Sequence, residues 1–522
     1  MAAAYFALAN AAARPDSVTE SITVRLEKSD SGAPLSGRIV VYFLDASESG
    51  RPGDGPFLFN PQPILGTNVE GLRPGQSVTL NSGSDGFTDS LASMAGRRFK
   101  VQAVLDRRRE NSRWDREPGN LYSDVSEVVW GPGNGSAVTL DLSHSVGNEA
   151  RPNMAGIRWY EIKSQLLTRF RGSDTFLKAA VLLPQTPVSE GPFPALYFVP
   201  AFGEDARGGV RSVLRELARA GEAGGQVRKR ACIVVLDPEG PNGHHLFADS
   251  ENNGPVGRAL TRELIPALEA EFPLRKHPDS RLLRGHSSGG WSVIWLTLTY
   301  PEVFGGCWST APDPVSFAAF QGVNLYTSRN LFRESGADHD RPSVTVDGRS
   351  VLTIREENRV EDVIGPGNTS AQQWDSWLAA FGHRLSAGGG RPADLFDPRT
   401  GEVDHAQLDR WAQYDIHRRL CGDPDRLLPI LRDRVHVLVG DRDEFSLHHA
   451  VSILRSEVER RGAFHGAGQA EPGASMTSHG YMELPAGENH FSVLQRQYMI
   501  RMYGEIATWF SRTSSVRAPE TP

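Results

Sequence analysis

The hexapeptide Gly285-His286-Ser287-Ser288-Gly289-Gly290 lies between the short apolar segment Leu282-Leu283 and the strongly apolar run Trp291 to Tyr300. A serine with a glycine two positions to either side fits a sharp strand-to-helix turn. Side chains at the glycine positions would collide with the bend, and the serine hydroxyl is pushed outward. Gly285, His286, Gly289 and Gly290 then form the elbow around Ser287. The run Trp291 to Leu298 is apolar nearly all round, as a helix buried behind such a turn must be.

The surrounding pattern agrees with that requirement. Strand-like runs at Tyr160 to Arg169, Thr175 to Leu183, Ala195 to Pro200, Ala231 to Leu236, Arg281 to Gly285, Gly305 to Ser309, Val435 to Gly440 and Tyr481 to Leu484 are separated by helical segments. One of these, Val256 to Phe272, keeps apolar residues on one face despite Pro266, and Phe491 to Phe510 reads as a last long helix. Alternation of this kind predicts an α/β domain with a largely parallel sheet and helices on both faces, spanning 155–513. The stretch of about 314–429 is too long for a bare loop and is expected to be an inserted cap over the carboxyl end of the sheet. Its Trp374, Trp377 and Trp411 suit the packing of the cap's own core better than a substrate pocket.

Before it, residues 17–150 show short β-type runs (Ser21 to Leu26, Arg38 to Leu44, Gln76 to Leu80, Arg98 to Leu105, Ser126 to Trp130, Ala137 to Leu142) broken by Gly, Pro, Ser and Asp. That spacing predicts a small β-sandwich, joined to the α/β domain through the Gly- and Pro-containing segment Ser143 to Gly156. Residues 1–16 read as a flexible tail or the remnant of an export signal, and 514–522 as a second tail. The location, periplasmic or extracellular if the segment is the remnant of an export signal and otherwise cytoplasmic, stays open.

A length of 522 residues fits two to three domains, and the formal net charge of -7 provides no field that would attract nucleic acid. No apolar run approaches the roughly 20 residues needed to span a bilayer. Cys232, Cys307 and Cys421 are widely spaced, which favours free thiols over a disulfide framework or a metal site. His244-His245 and His448-His449 lack carboxylate partners at helical spacing, and Asp394 to Asp404 lacks the alternating oxygens of a calcium loop, so no metal or cofactor is expected.

A serine hydroxyl is a weak nucleophile at neutral pH and needs a His to take its proton, with a carboxylate to hold the imidazole in the right tautomer. Two downstream segments end a strand in a suitable loop. Val435 to Phe445 runs from apolar residues into Gly440-Asp441-Arg442-Asp443-Glu444, where Asp443 is the preferred acid, with Asp441 second and Glu444 third. Met482 to Phe491 turns through Pro485 and Gly487 to His490, the preferred base. A tetrahedral intermediate also needs backbone donors for its oxyanion. Ser288 is expected to supply one, and the loop after Tyr197-Phe198-Val199 the other, from Phe202 or Gly203.

Taken in order, Phe247-Ala248-Asp249-Ser250, Asn253-Gly254, Glu263 to Glu269, Gly285 to Gly290 and Tyr300-Pro301-Glu302-Val303-Phe304-Gly305 resemble the putative-esterase family of α/β-hydrolases, which includes enterochelin esterases, feruloyl esterases and S-formylglutathione hydrolase. The resemblance covers 158–313 and 430–510. It implies the α/β-hydrolase fold, a cofactor-free carboxylic ester hydrolase, and a Ser287, Asp443, His490 triad through Gly-x-x-Asp at Gly440 to Asp443 and Gly-x-x-His at Gly487 to His490. The expected partner is a small-molecule or carbohydrate-linked ester. Two departures stand out: Val199-Pro200-Ala201-Phe202-Gly203 replaces the frequent His-Gly, and the cap is longer than usual. A serine peptidase of the prolyl-oligopeptidase type shares the elbow, but the amino-terminal region is too short for a propeller. A catalytically inactive module of the same fold, binding through its β-sandwich, is the remaining alternative.

Overall fold

The computed structural model describes residues 18–27, 32–87, 91–131, 138–148, 156–386, 390–462 and 479–513. The expected tails at 1–16 and 514–522 lie outside the described residues, as does the 149–155 part of the expected join. The chain divides into two compact units. One comprises 1–109, 113–149 and 356–366; the other comprises 110–112, 150–355 and 367–522.

The first unit is built on two sheets. An eight-stranded sheet has Leu35–Asp45 between Ile64–Leu72 and Arg98–Asp106, both antiparallel to it, with Ser126–Trp130 beyond the latter. A three-stranded sheet places Ile22–Leu26 between Val138–Leu142 and Ser77–Leu80. Alternate residues Ile22, Val24 and Leu26 point inward and pack in one buried cluster with Ile39, Val41, Phe43, Val101 and Trp130. This is the period-2 pattern that a sandwich requires. Ile64–Leu72 is absent from the sequence-derived strands because Gly66 and Gly71 resemble turn punctuation. Gly66 is in fact a packing requirement: a Cβ there would lie 2.5 Å from both Arg38 Nη2 and the Val363 carbonyl. Arg38, 1% exposed, donates to that carbonyl through Nε (2.9 Å) and Nη2 (2.8 Å), and also to Asp85 and Asn68. The end of the helix Ile354–Ile364, which falls in the stretch expected to form the cap, is therefore held in this unit.

The second unit contains an eight-stranded sheet of β1 (Ile157–Lys163), β2 (Phe176–Leu182), β3 (Ala195–Val199), β4 (Cys232–Leu236), β5 (Arg281–His286), β6 (Gly306–Thr310), β7 (Val435–Leu438) and β8 (Tyr481–Glu483). Their spatial order is β1-β2-β4-β3-β5-β6-β7-β8, with β1 and β2 antiparallel and the rest of the sheet parallel from β4 onward. Strands β3 and β4 are buried at every position, which explains their unbroken apolar runs. The helices that matter for the site are α1 (Ala206–Ala220), α2 (Ser288–Thr299), α3 (Gln373–Phe381), α4 (Leu447–Arg460) and α5 (Arg496–Thr513). Separate buried clusters cover the two faces of the sheet, one including α2 and α3 and the other α1 and α5. This is the α/β-hydrolase architecture.

Three local expectations change. Strand β1 stops at Lys163 because Ser164 caps a short helix, Gln165–Arg171, its Oγ accepting from Leu167 N at 3.1 Å. The Val256 to Phe272 segment divides into Val256–Ala259, a π turn at Leu260–Leu264 and Ile265–Glu271. Pro266 has no N–H to give, and the wider turn relieves the demand for one. The last long helix begins at Arg496, after a short turn at Ser492–Leu494, and not at Phe491.

Candidate active site

Strand β5 delivers Ser287 at φ 56° and ψ −124°, a backbone conformation that side-chain-bearing residues rarely adopt, and α2 begins at the next residue. The turn is anchored by Ser287 N to the Thr310 carbonyl at 2.9 Å, and by the Ser287 carbonyl accepting from Trp291 N (3.0 Å) and Asp313 N (3.2 Å). The elbow glycines are steric necessities. A Cβ on Gly285 would collide with the Gly289 carbonyl, one on Gly289 with those of Val199 and Pro200, and one on Gly290 with that of Thr310, each closer than 3.0 Å. Every residue from Ser288 to Leu298 is buried, so α2 has no polar face.

Behind the elbow, Arg284 of β5 is wholly buried and pairs with Glu216 of α1 through Nε (3.0 Å) and Nη2 (2.9 Å). Tyr503 of α5 donates to Glu216 Oε2 at 3.0 Å, and Arg284 also donates to the Gly285 carbonyl. This fork ties both helices of one face to the strand that carries Ser287. Sequence reading misses it because the partners stand 68 and 287 positions apart.

The loops after β7 and β8 meet through their backbones. Arg442 N donates to the Glu488 carbonyl at 2.9 Å, and a Cβ on Gly440 would collide with that carbonyl. His490 Nδ1 lies 2.7 Å from Asp443 Oδ2, with both side chains buried. The other carboxylate oxygen, Oδ1, accepts from Phe445 N (2.9 Å) and Leu447 N (3.3 Å). The two remaining acid candidates do other work: Asp441 accepts from Gly487 N (2.7 Å), and Glu444 accepts from His490 N (2.8 Å). Of the three, Asp443 is the one whose carboxylate reaches the imidazole.

The His490 ring packs 4.6 Å from that of His286, the residue before Ser287, and between Phe445 (4.9 Å) and Phe491 (5.0 Å). Burial, aided by the neighbouring His490 and Arg284, holds His286 well below the usual imidazole range and hence neutral. Its Nδ1 lies 3.0 Å from Thr310 Oγ1, while its Nε2 has no hydrogen-bond partner among the described residues. The turn after β3 lies beside the elbow, since Val199 and Pro200 are the residues that exclude a side chain at Gly289. Within that turn, Glu204 N donates to the Ala201 carbonyl at 3.1 Å, leaving the N–H groups of Phe202 and Gly203 outside the bond. Gly203 has φ +74°.

Asp313 is the residue near the site that sequence reading overlooks. It follows β6, is 2% exposed, and accepts from Ser288 Oγ (2.7 Å) and Trp377 Nε1 (2.8 Å) on the same oxygen, Oδ2. Burial pushes its carboxyl up to about 6 against these two hydrogen bonds. An Asp-Pro pair ending a strand reads as a turn, and nothing local to it reveals the burial.

Trp374, Trp377 and Trp411 are buried among Phe317, Phe320 and Phe381, so they pack the core of the insertion. Among the described residues, His417, Cys421 and Glu457 form one group that could hold a metal ion. Glu457 Oε1 already accepts from Arg460 Nη2 and Arg461 Nε, both at 2.6 Å, so a cation would have to displace two guanidinium groups. The three cysteines are free.

The family model described as "Putative esterase" matches residues 174–456, more than half of the chain. The chain belongs to the putative esterase family. As a member it is a carboxylic ester hydrolase with the α/β-hydrolase fold. Similar solved structures include the fluorophosphonate-binding serine hydrolase F of Staphylococcus aureus (12% identity over 68% of this chain and 97% of that one, TM-score 0.36). An S-formylglutathione hydrolase from Agrobacterium tumefaciens (13%, 69% and 97%, TM-score 0.37) and a ferulic acid esterase (14%, 68% and 97%, TM-score 0.37) are also among them. No curated protein matches the sequence. Among the described residues no helix is long and apolar enough to cross a membrane.

Proposed function

We propose that this esterase cleaves its substrate through an acyl-enzyme on Ser287, with His490 as general base and acid and Asp443 as the carboxylate that orients it. The observation that carries the reading is the buried 2.7 Å contact between His490 Nδ1 and Asp443 Oδ2, in a loop whose imidazole packs against the residue preceding the strained serine. With Nδ1–H donated to Asp443, Nε2 is the nitrogen left to accept the Ser287 proton.

Ser287 Oγ attacks the ester carbonyl as its proton passes to His490 Nε2. The resulting oxyanion is held by the Ser288 N–H and by an N–H of the Phe202-Gly203 turn. Collapse of the intermediate expels the alcohol, which takes the proton from His490. Water then attacks the acyl-enzyme, giving its proton to His490, and the acid leaves as Ser287 is restored. The substrate is a small-molecule or carbohydrate-linked ester, and no step needs a cofactor. The peptidase alternative loses ground to the first unit's two-sheet arrangement, which is not a set of propeller blades.

Turnover of a p-nitrophenyl ester by Ser287→Ala tests the reading. Loss of activity in a protein that melts as the parent does supports it, and retained activity overturns it.

A further inference from the structure

Helix α3 belongs to the long insertion after β6, yet it reaches both segments expected to carry oxyanion donors. On one side Trp377 Nε1 and Ser288 Oγ donate to the same oxygen of Asp313, at 2.8 and 2.7 Å. The Asp313 backbone N–H holds the Ser287 carbonyl at 3.2 Å. One buried residue thus links the helix to the nucleophile turn by its side chain and grips the same turn by its main chain. The Gln373 amide adds a longer contact to Ser288 Oγ, at 3.4 Å.

On the other side Ser376 Oγ accepts from His244 N at 3.2 Å, and His244 Nε2 lies 3.0 Å from the Pro200 carbonyl at the base of the Phe202-Gly203 turn. Leu246 N donates to His244 Nδ1 at 3.2 Å, so Nε2 carries the proton and donates to Pro200. The fit is close: a Cβ on Gly243 would collide with the Ala371 carbonyl and Ser376 Oγ. Residues 373, 376 and 377, on neighbouring turns of one helix, therefore brace the two donor segments together.

Oxyanion donors act only when they are fixed in advance at the position where charge will develop, and a glycine-rich turn cannot fix itself. We propose that α3 is the scaffold of the oxyanion hole, with Asp313 and His244 as positioning residues that fasten its two halves to the helix. The insertion is then part of the catalytic apparatus, and lifting it away would dismantle the hole. This inference rests on the Ser287 reading above.

The test compares p-nitrophenyl acetate turnover by the parent enzyme, Asp313→Ala, Asp313→Asn, Trp377→Phe, the Asp313→Ala/Trp377→Phe double variant and Ser287→Ala, with melting curves for each. Deleting an oxyanion donor outright costs about a hundred- to thousandfold, so loosening one through Asp313→Ala should lower kcat about ten- to hundredfold with KM within about threefold. Trp377→Phe should lower kcat in the same way but less. The double variant should be no worse than Asp313→Ala, because both changes act through one oxygen. Asp313→Asn keeps an acceptor for both donors and should stay within about threefold of the parent. If Asp313→Ala does not fold, Trp377→Phe decides. An unchanged kcat in Trp377→Phe or in folded Asp313→Ala, or losses that multiply in the double variant, overturns the scaffold. An active Ser287→Ala refutes the triad itself, whereas an inactive Ser287→Ala beside fully active Asp313→Ala and Trp377→Phe refutes only the scaffold.

Discussion

Replacing Asp443 by Asn is the perturbation whose outcome the structure constrains most tightly. Asp443 Oδ1 accepts two backbone N–H groups, from Phe445 and Leu447, while Oδ2 faces His490 Nδ1 at 2.7 Å. An Asn can satisfy the two backbone donors only by placing its carbonyl oxygen at the Oδ1 position. Its NH2 then points at His490 Nδ1, which must give up its proton and accept. The imidazole is thereby driven into the tautomer with hydrogen on Nε2, the nitrogen that has to receive the proton of Ser287. Volume and backbone contacts are kept, so stability should change little. A reversed tautomer of this kind lowers kcat about ten-thousandfold, equivalent to about 5.4 kcal/mol of barrier. Steady-state hydrolysis of a p-nitrophenyl ester, with melting curves for both proteins, measures the effect. Activity within about tenfold of the parent, in a protein that melts at the same temperature, would refute the reasoning. Asp441→Asn and Glu444→Gln are controls: each touches a backbone N–H of the histidine loop and should cost far less.

Three further outcomes follow from the surroundings of the elbow. Glu216→Ala leaves Arg284 charged and buried without its partner, so it should destabilise the fold by about 3 to 5 kcal/mol, read by chemical denaturation. Gly289→Ala would force the new methyl group against the Val199 and Pro200 carbonyls and displace the turn that carries Phe202 and Gly203. Loss of esterase activity by about a hundredfold or more is expected, together with a lower unfolding midpoint. Because burial raises the Asp313 carboxyl to about 6, folding favours its protonated form, and stability falls as pH rises from its ordinary value of 3.8 through 6. Asp313→Asn removes that dependence, so its stability relative to the parent should increase between pH 4 and pH 7 by about 3 kcal/mol at most, read as a growing difference in unfolding midpoint.

What the sequence makes legible is local in the chain. The apolar runs, the glycine spacing around Ser287 and the loops that end β7 and β8 each lie within a dozen residues, and together they give the sheet, the elbow and the residues proposed for the triad. The loop motif ranks Asp443 ahead of Asp441 and Glu444, but which carboxylate reaches an imidazole 47 positions away is seen only in the fold. The same holds for Asp313, His244 and the Arg284-Glu216 fork. Each is an unremarkable residue until a segment distant in sequence buries it. The helix Ile354–Ile364 is the sharpest case: it lies in the stretch expected to form the cap, and its place in the first unit depends on Arg38, 325 positions from the carbonyl it holds.

The most direct measurement of the central claim is intact-protein and peptide mass spectrometry after treatment with a fluorophosphonate. The account predicts a single adduct on Ser287, absent in Ser287→Ala and formed far more slowly in His490→Ala. A folded protein that takes up no label, or one labelled on Ser288 or another serine, would contradict it.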